Sequence, residues 1–175
     1  MTENKLILFS PVDPIWGTGE DPNSHLVLVH PEIPANTGSI ARLSACTGMV
    51  LHLVEPLGFK LEDRYLRRAG LDYWPNVTLC VHADWEAVEA IFSPDRLHLM
   101  TTHSERRYTE ISDLPGRAYV FGRETRGLEP EIQDRHPERL YRLPMVPNVR
   151  SLNLANACSV VAYDLRRRQG FPGMV

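Results

Sequence analysis

Five short, largely apolar runs (HLVLVH, LHLVEP, VTLCVH, LHLMTT and AYVFG) follow one another between residues 25 and 122, each too short for a helix. Runs of this length, rich in Val and Leu, suit strands buried on both faces. Helical stretches lie between several of them: SIARLSACTG closed by Gly48, LEDRYLRRAG ended by Gly70, and DWEAVEAIF. LYRLPM is a sixth strand candidate. A long helix is expected from about Leu152 to Gln169, with Ser151 or Asn153 placed to cap its start. Arg166 to Arg168 fall in its last turn, and Gly170 and Pro172 lie beyond it. Strands alternating with helices predict an α/β fold, a mostly parallel sheet with helices on both faces.

The chain has 175 residues, enough for one domain with a substantial core. Residues 1–24 carry Pro11, Pro14, Pro22, Gly17 and Gly19 without periodicity, and read as an N-terminal extension before a domain at 25–175. The G-T-G at 17–19 lacks the preceding strand and third glycine of a dinucleotide fingerprint, which argues against a nicotinamide oxidoreductase. No run reaches the roughly 20 apolar residues of a membrane span, and LILF is too short for a signal-peptide core, so a cytoplasmic protein without membrane contact is expected. Cys46, Cys80 and Cys158 are widely spaced, which suits reduced thiols and no metal site. His30-Pro31-Glu32 matches half of a zinc-deaminase signature, but the P-C-x-x-C half is missing.

The net charge of −3 excludes nucleic-acid binding driven by bulk charge. Of the 19 cations only Lys5 and Lys60 are lysines; the arginines cluster at 64/67/68, 106/107, 123/126 and 166–168. Arginine's planar fork suits phosphate, although each cluster alone is equally a solvated face.

In sheets of this kind ligands gather at the carboxyl ends of the strands. Three unusual loops follow strands here: HPEIPANTG, FGRETRG and LPMVPNVRSLN. The first puts Asn36, Thr37 and Gly38 near a helix N-terminus, where free N–H groups favour an anion. In the second, Gly122 allows close backbone approach to a ligand, beside the charges of Glu124 and Arg126. The third is stiffened by Pro144 and Pro147. Singly, these are turn glycines, an ion pair and a rigid connector; together on one sheet edge they point to a site.

PANTGSIARL, FGRETRGL and PMVPNVRSLNLANA resemble, in order and spacing, the three motifs of the SPOUT-class RNA 2′-O-ribose methyltransferases. EPLGF followed by LRRAGLDYW resembles the subgroup that methylates the wobble ribose, position 34, of certain leucine tRNAs at cytidine or modified uridine. The resemblance covers about residues 25–173. It implies a C-terminal trefoil knot, a homodimer with active sites near the interface, S-adenosylmethionine as cofactor and the tRNA anticodon stem-loop as partner. Matched residue by residue, Met100, Thr101, Gly122, Leu143, Pro144, Met145, Ser151 and Leu152 line the cofactor pocket. Arg42 matches the catalytic arginine, with Asn36, Glu124 and Asn153 as further catalytic positions that orient it or the ribose. A guanidinium stays protonated, so Arg42 is expected to stabilise charge on the 2′ oxygen rather than act as base. Arg67, Arg68, Arg126 and Arg150 are expected to contact RNA, with Tyr73 and Trp74 as stacking surfaces or, equally, core aromatics. An RNA-binding protein of the same fold without catalysis, or one acting at another tRNA or rRNA site, is the alternative.

Overall fold

The structure, a computed structural model, describes residues 10–61 and 73–175. Six strands form one sheet: β1 (Ser24–Val29), β2 (Val50–Val54), β3 (Leu79–His82), β4 (Leu97–Met100), β5 (Arg117–Phe121) and β6 (Leu140–Tyr141). Their order is β3-β2-β1-β5-β4-β6, and every neighbouring pair is parallel. The helices are α1 (Pro34–Thr47), α2 (Trp85–Glu89), α3 (Pro130–Arg135) and α4 (Leu154–Arg168). The expected helix LEDRYLRRAG falls almost entirely outside the described residues.

Successive strand residues point to opposite faces and are buried on both. Leu26, Leu28, Leu51 and Leu53 join one core with Ile40 and Leu43 of α1 and Leu154, Val161 and Leu165 of α4. Val27, Val29 and Val54 join a second with Trp85 and Val88 of α2, with Phe92 beyond it, and with Ile132 of α3. Burying each such side chain contributes about 1.5–3 kcal/mol, which favours Leu and Val at these positions.

Helix ends follow local chemistry. α1 opens on Pro34, whose missing N–H costs nothing there, and stops at Gly48 with φ 64°. It therefore begins five residues before the expected SIARL stretch and takes Asn36, Thr37 and Gly38 into its first turns. Of the two candidate caps for α4, Asn153 is the one used: its side chain accepts from Ala155 N at 2.9 Å and Asn156 N at 3.2 Å. Arg166, buried, ties the two helices by donating from Nε to the Thr47 carbonyl at 2.8 Å.

Residues 10–23 fold against the sheet. Ser10 N donates to the Leu79 carbonyl at 2.7 Å, and Trp16 is buried with its ring edge-on to His25 and His52. Gly17, at φ +72°, leaves no room for a side chain: a Cβ would sit 2.2 Å from the Ile91 carbonyl oxygen. An aperiodic segment gave no sign of this docking, because Trp16 and Asp21 act singly.

Under Trp16 a row of buried polar side chains crosses three strands. Asp21 Oδ2 lies 2.8 Å from His25 Nε2, His25 Nδ1 lies 2.9 Å from His52 Nε2, and His52 Nδ1 lies 2.8 Å from His82 Nε2. A carboxylate only accepts, so His25 Nε2 donates to Asp21; with all three rings neutral each Nε2 carries hydrogen and donates towards Asp21, whereas a proton on His25 Nδ1 reverses the two bonds beyond it. Burial opposes the Asp21 charge, but hydrogen bonds from His25, Asn23 and Gly17 outweigh it and hold its pKa at about 2. Burial, with His25 and His82 adding, pushes His52 well below 6.5. His82 is lowered by burial against the opposing pull of Asp84, and His98, on β4, falls to about 3 by burial and nearby arginines.

These three histidines are neutral in the fold but take up protons below pH 6.5 when unfolded, so they stabilise fully above that value and progressively less below it. The Asp21 contribution is lost only below its unfolded value of 3.8. Urea unfolding should therefore show a marked drop in midpoint between pH 7.5 and 5.5, each histidine adding at most about 1.4 kcal/mol per pH unit below its unfolded value. An equal midpoint at the two pH values would contradict the neutral state of His52, His82 and His98.

Candidate functional site

The loops after β1, β4, β5 and β6 meet at the carboxyl edge of the sheet around a cleft of about 910 Å³. That edge is where parallel sheets present ligand sites, and the volume lies within the range of small-molecule pockets. Met100 and Thr101 border it from the end of β4, Gly122 from β5, Leu143 and Met145 from beyond β6, and Ser151 and Leu152 from the approach to α4. Pro144, expected among them, is exposed and is not part of the lining. Apolar walls from Met100, Phe121, Leu143 and Leu154 beside loop backbone fit an adenosine carrying an aliphatic arm.

Gly122 is also constrained by its own loop. Residues 123–127 fold back on themselves, with Arg123 N donating to Gly127 O at 3.2 Å and Gly127 N to Arg123 O at 2.9 Å. A Cβ on Gly122 would lie 2.1 Å from Gly127 C and Leu128 N. The crowding comes from the loop's own backbone. Even Gly122→Ala should therefore unfold the turn, lowering the melting temperature along with ligand affinity; a variant that melts like the parent but loses the ligand would restore the expected reason.

Glu124 binds the start of α1, which has no capping side chain of its own. Its Oε2 accepts from Glu32 N at 2.8 Å; Oε1 accepts from Ile33 N at 3.2 Å and from Asn36 Nδ2 at 3.0 Å. A carboxylate at a helix N-terminus is favoured by the helix dipole. Asn36 Oδ1 in turn accepts from Asn153 Nδ2 at 3.0 Å, and Asn153 Oδ1 caps α4. Three motifs are thus joined side chain to side chain, and these three polar residues orient one another.

Arg42 is apart from them. It lies on the exposed side of α1, with its guanidinium 4.7 Å from the centre of the Tyr73 ring, and does not border the cleft. Six residues beyond Asn36 on a helix of 3.6 residues per turn, it points to a different side. Trp74 belongs to the core, so of its two readings the buried one holds. Arg126 and Arg150 are exposed on the cleft rim. Arg67 and Arg68 lie outside the described residues.

Several contributors gave no sequence signal. Arg123 pairs with Glu129, whose Oε1 is also 2.8 Å from His30 Nδ1. Burial works against that carboxylate, yet hydrogen bonds from His30 and Arg123 keep its pKa below the usual value. Gln133 of α3 accepts from the Thr101 hydroxyl at 3.0 Å and donates to the Leu128 carbonyl at 2.8 Å, bracing two walls. α3 has six residues and opens on Pro130, too short for helical periodicity to register.

A parallel α/β sheet with a nucleotide-sized cleft at its carboxyl edge, walled by three interlocked motifs, defines a small-ligand-binding α/β domain. The chain belongs to the SpoU rRNA Methylase family, whose model matches residues 23–163. It is 50% identical over 151 residues to a tRNA (cytidine(34)-2′-O)-methyltransferase of Methylovorus glucosotrophus (strain SIP3-4), covering 86% of this chain and 98% of the relative. A solved structure concerned with 2-OH methylation of C/U34 on tRNA superposes with a TM-score of 0.79 at 41% identity, over 85% of this chain and 99% of the other. An AdoMet-bound rRNA methyltransferase from Sinorhizobium meliloti shares the fold, with a TM-score of 0.79 at 20% identity over 92% of this chain and 61% of that one.

Proposed function

We propose that this chain methylates the 2′ oxygen of the ribose at the wobble nucleotide of tRNA, with S-adenosylmethionine as methyl donor, in the cytoplasm. The observation that carries the reading is the interlocking of the three motifs around one cleft of adenosine size. The full-length likeness to tRNA (cytidine(34)-2′-O)-methyltransferases supports the substrate, and the motif resemblance supports leucine tRNAs with cytidine or modified uridine at that position.

When bound, S-adenosylmethionine would supply an electrophilic methyl group for the 2′ oxygen, and Met100, Thr101, Gly122, Leu143, Met145, Ser151 and Leu152 would hold it in the cleft. The residues of the chain bind and align. Met100, Leu143 and Leu152 hold the adenosine, Thr101 and Ser151 offer polar contacts, and Arg126 and Arg150 on the rim meet RNA phosphates. Asn36, Glu124 and Asn153 keep the walls in register.

Arg42 serves a second protomer in this reading. Its place outside its own cleft suits an active site completed across a homodimer, as does the apolar surface of Val160 and Tyr163, 42% and 45% exposed on α4. The trefoil threading implied by the motifs belongs to the same proposal. Replacing Val160 and Tyr163 by glutamate should yield a monomer in light scattering with methyl transfer lost; an active monomer would refute the shared site.

The decisive experiment is transfer of tritiated methyl to leucine tRNA transcripts, followed by mapping of the modified ribose. Label at the wobble position is expected; RNA binding without transfer would favour the non-catalytic alternative. Arg42→Ala should lower the rate by about 10²–10³ with cofactor affinity unchanged, and Arg42→Lys should rescue poorly because it lacks the fork. Full turnover in Arg42→Ala would remove it from the mechanism.

A further inference from the structure

The loop after β1 and the loop after β5 exchange carboxylates. Glu124 reaches across to the amides of Glu32 and Ile33, and Glu32 reaches back: its Oε2 accepts from Thr125 N at 3.1 Å and from Thr125 Oγ1 at 2.8 Å. Thr125 borders the cleft, whereas Glu32 does not. Glu32 is itself held from behind. Gly58 N donates to Pro31 O at 2.9 Å, and a Cβ on Gly58 would sit 2.7 Å from the Glu32 Cα. The 123–127 turn is anchored a second time where Arg123 meets Glu129 and His30. Between these anchors lies Glu124, and Arg126 follows on the rim.

We propose that Glu32 is a positioning residue for the methyl-transfer site, acting through Thr125 to fix the wall that the 123–127 turn presents to the cofactor. The inference rests on the cleft being the cofactor site.

The geometry separates Glu32 from Glu124. Both bonds to Glu32 converge on one oxygen, so an amide oxygen can accept both and Glu32→Gln retains the contact. Glu124 uses both oxygens against N–H donors, so Glu124→Gln sets its NH₂ against an amide and breaks the lock. Glu32→Ala loses both bonds at the wall.

The test is calorimetric titration of the full chain with S-adenosylmethionine, together with steady-state methyl transfer and melting curves. Glu32→Ala is expected to weaken affinity by about tenfold, the scale of one or two partly exposed hydrogen bonds. KM for the cofactor should rise more than kcat falls. Glu32→Gln should bind within about twofold of the parent, while Thr125→Val, which keeps its N–H, should fall between. The double variant Glu32→Ala/Thr125→Val should lose no more than Glu32→Ala alone, because the two residues share one interaction. Equal losses in Glu32→Gln and Glu32→Ala would overturn the proposal by making charge the cause. Unchanged affinity in Glu32→Ala would also overturn it, and so would a loss matched by a general fall in melting temperature. Ultraviolet cross-linking of labelled S-adenosylmethionine, mapped by peptide, tests the footing: label away from the cleft sinks the site reading and this one with it, whereas label in the cleft with unchanged Glu32→Ala affinity sinks this one alone.

Discussion

One carboxylate holds together stretches of chain that the sequence keeps far apart. Glu124 accepts hydrogen bonds from the backbone of residues 32 and 33 and from Asn36, and through Asn36 it reaches Asn153 and the start of α4. Without it the amides of Glu32 and Ile33, just ahead of α1, would be left open, and the helix would have no capping group. The α1–α4 layer, the turn after β5 and the approach to α4 would each be free to choose a separate geometry. Their agreement makes a cleft out of three loops.

The sheet was legible in the sequence because strands buried on both faces leave little choice of residue: Leu and Val fill β1 and β2, and both cores use them. The long C-terminal helix was legible for its cap and its arginine-rich end. What escaped lacks repetition. α3 has six residues, and the docked segment at 10–23 depends on Trp16 and Asp21 acting alone. Gly122 was singled out for close approach to a ligand, and nothing in the sequence hinted at the crowding by Gly127 and Leu128, which only the folded turn brings there.

The candidate site divides along the same line. Motif spacing pointed to the loops that border the cleft, because a loop after a strand has only one edge of the sheet to occupy. It did not reveal that Asn36, Glu124 and Asn153 bond to one another, nor that Arg42 leans over Tyr73. Contacts between side chains about 90 and 117 positions apart are properties of the fold, and no local pattern records them.

The row from Asp21 to His82 has a direction as well as a length. With all three rings neutral, each gives its hydrogen towards Asp21, so the imidazole dipoles add head to tail and the far terminus, Nδ1 of His82, is left an acceptor. That terminus sits at the end of β3, on the same edge of the sheet as the cleft. In that state whatever meets it has to bring a hydrogen of its own. A carboxylate lodged at the opposite end of the sheet, in a segment upstream of the 23–163 family match, thereby sets the hydrogen-bonding polarity of a side chain three strands away.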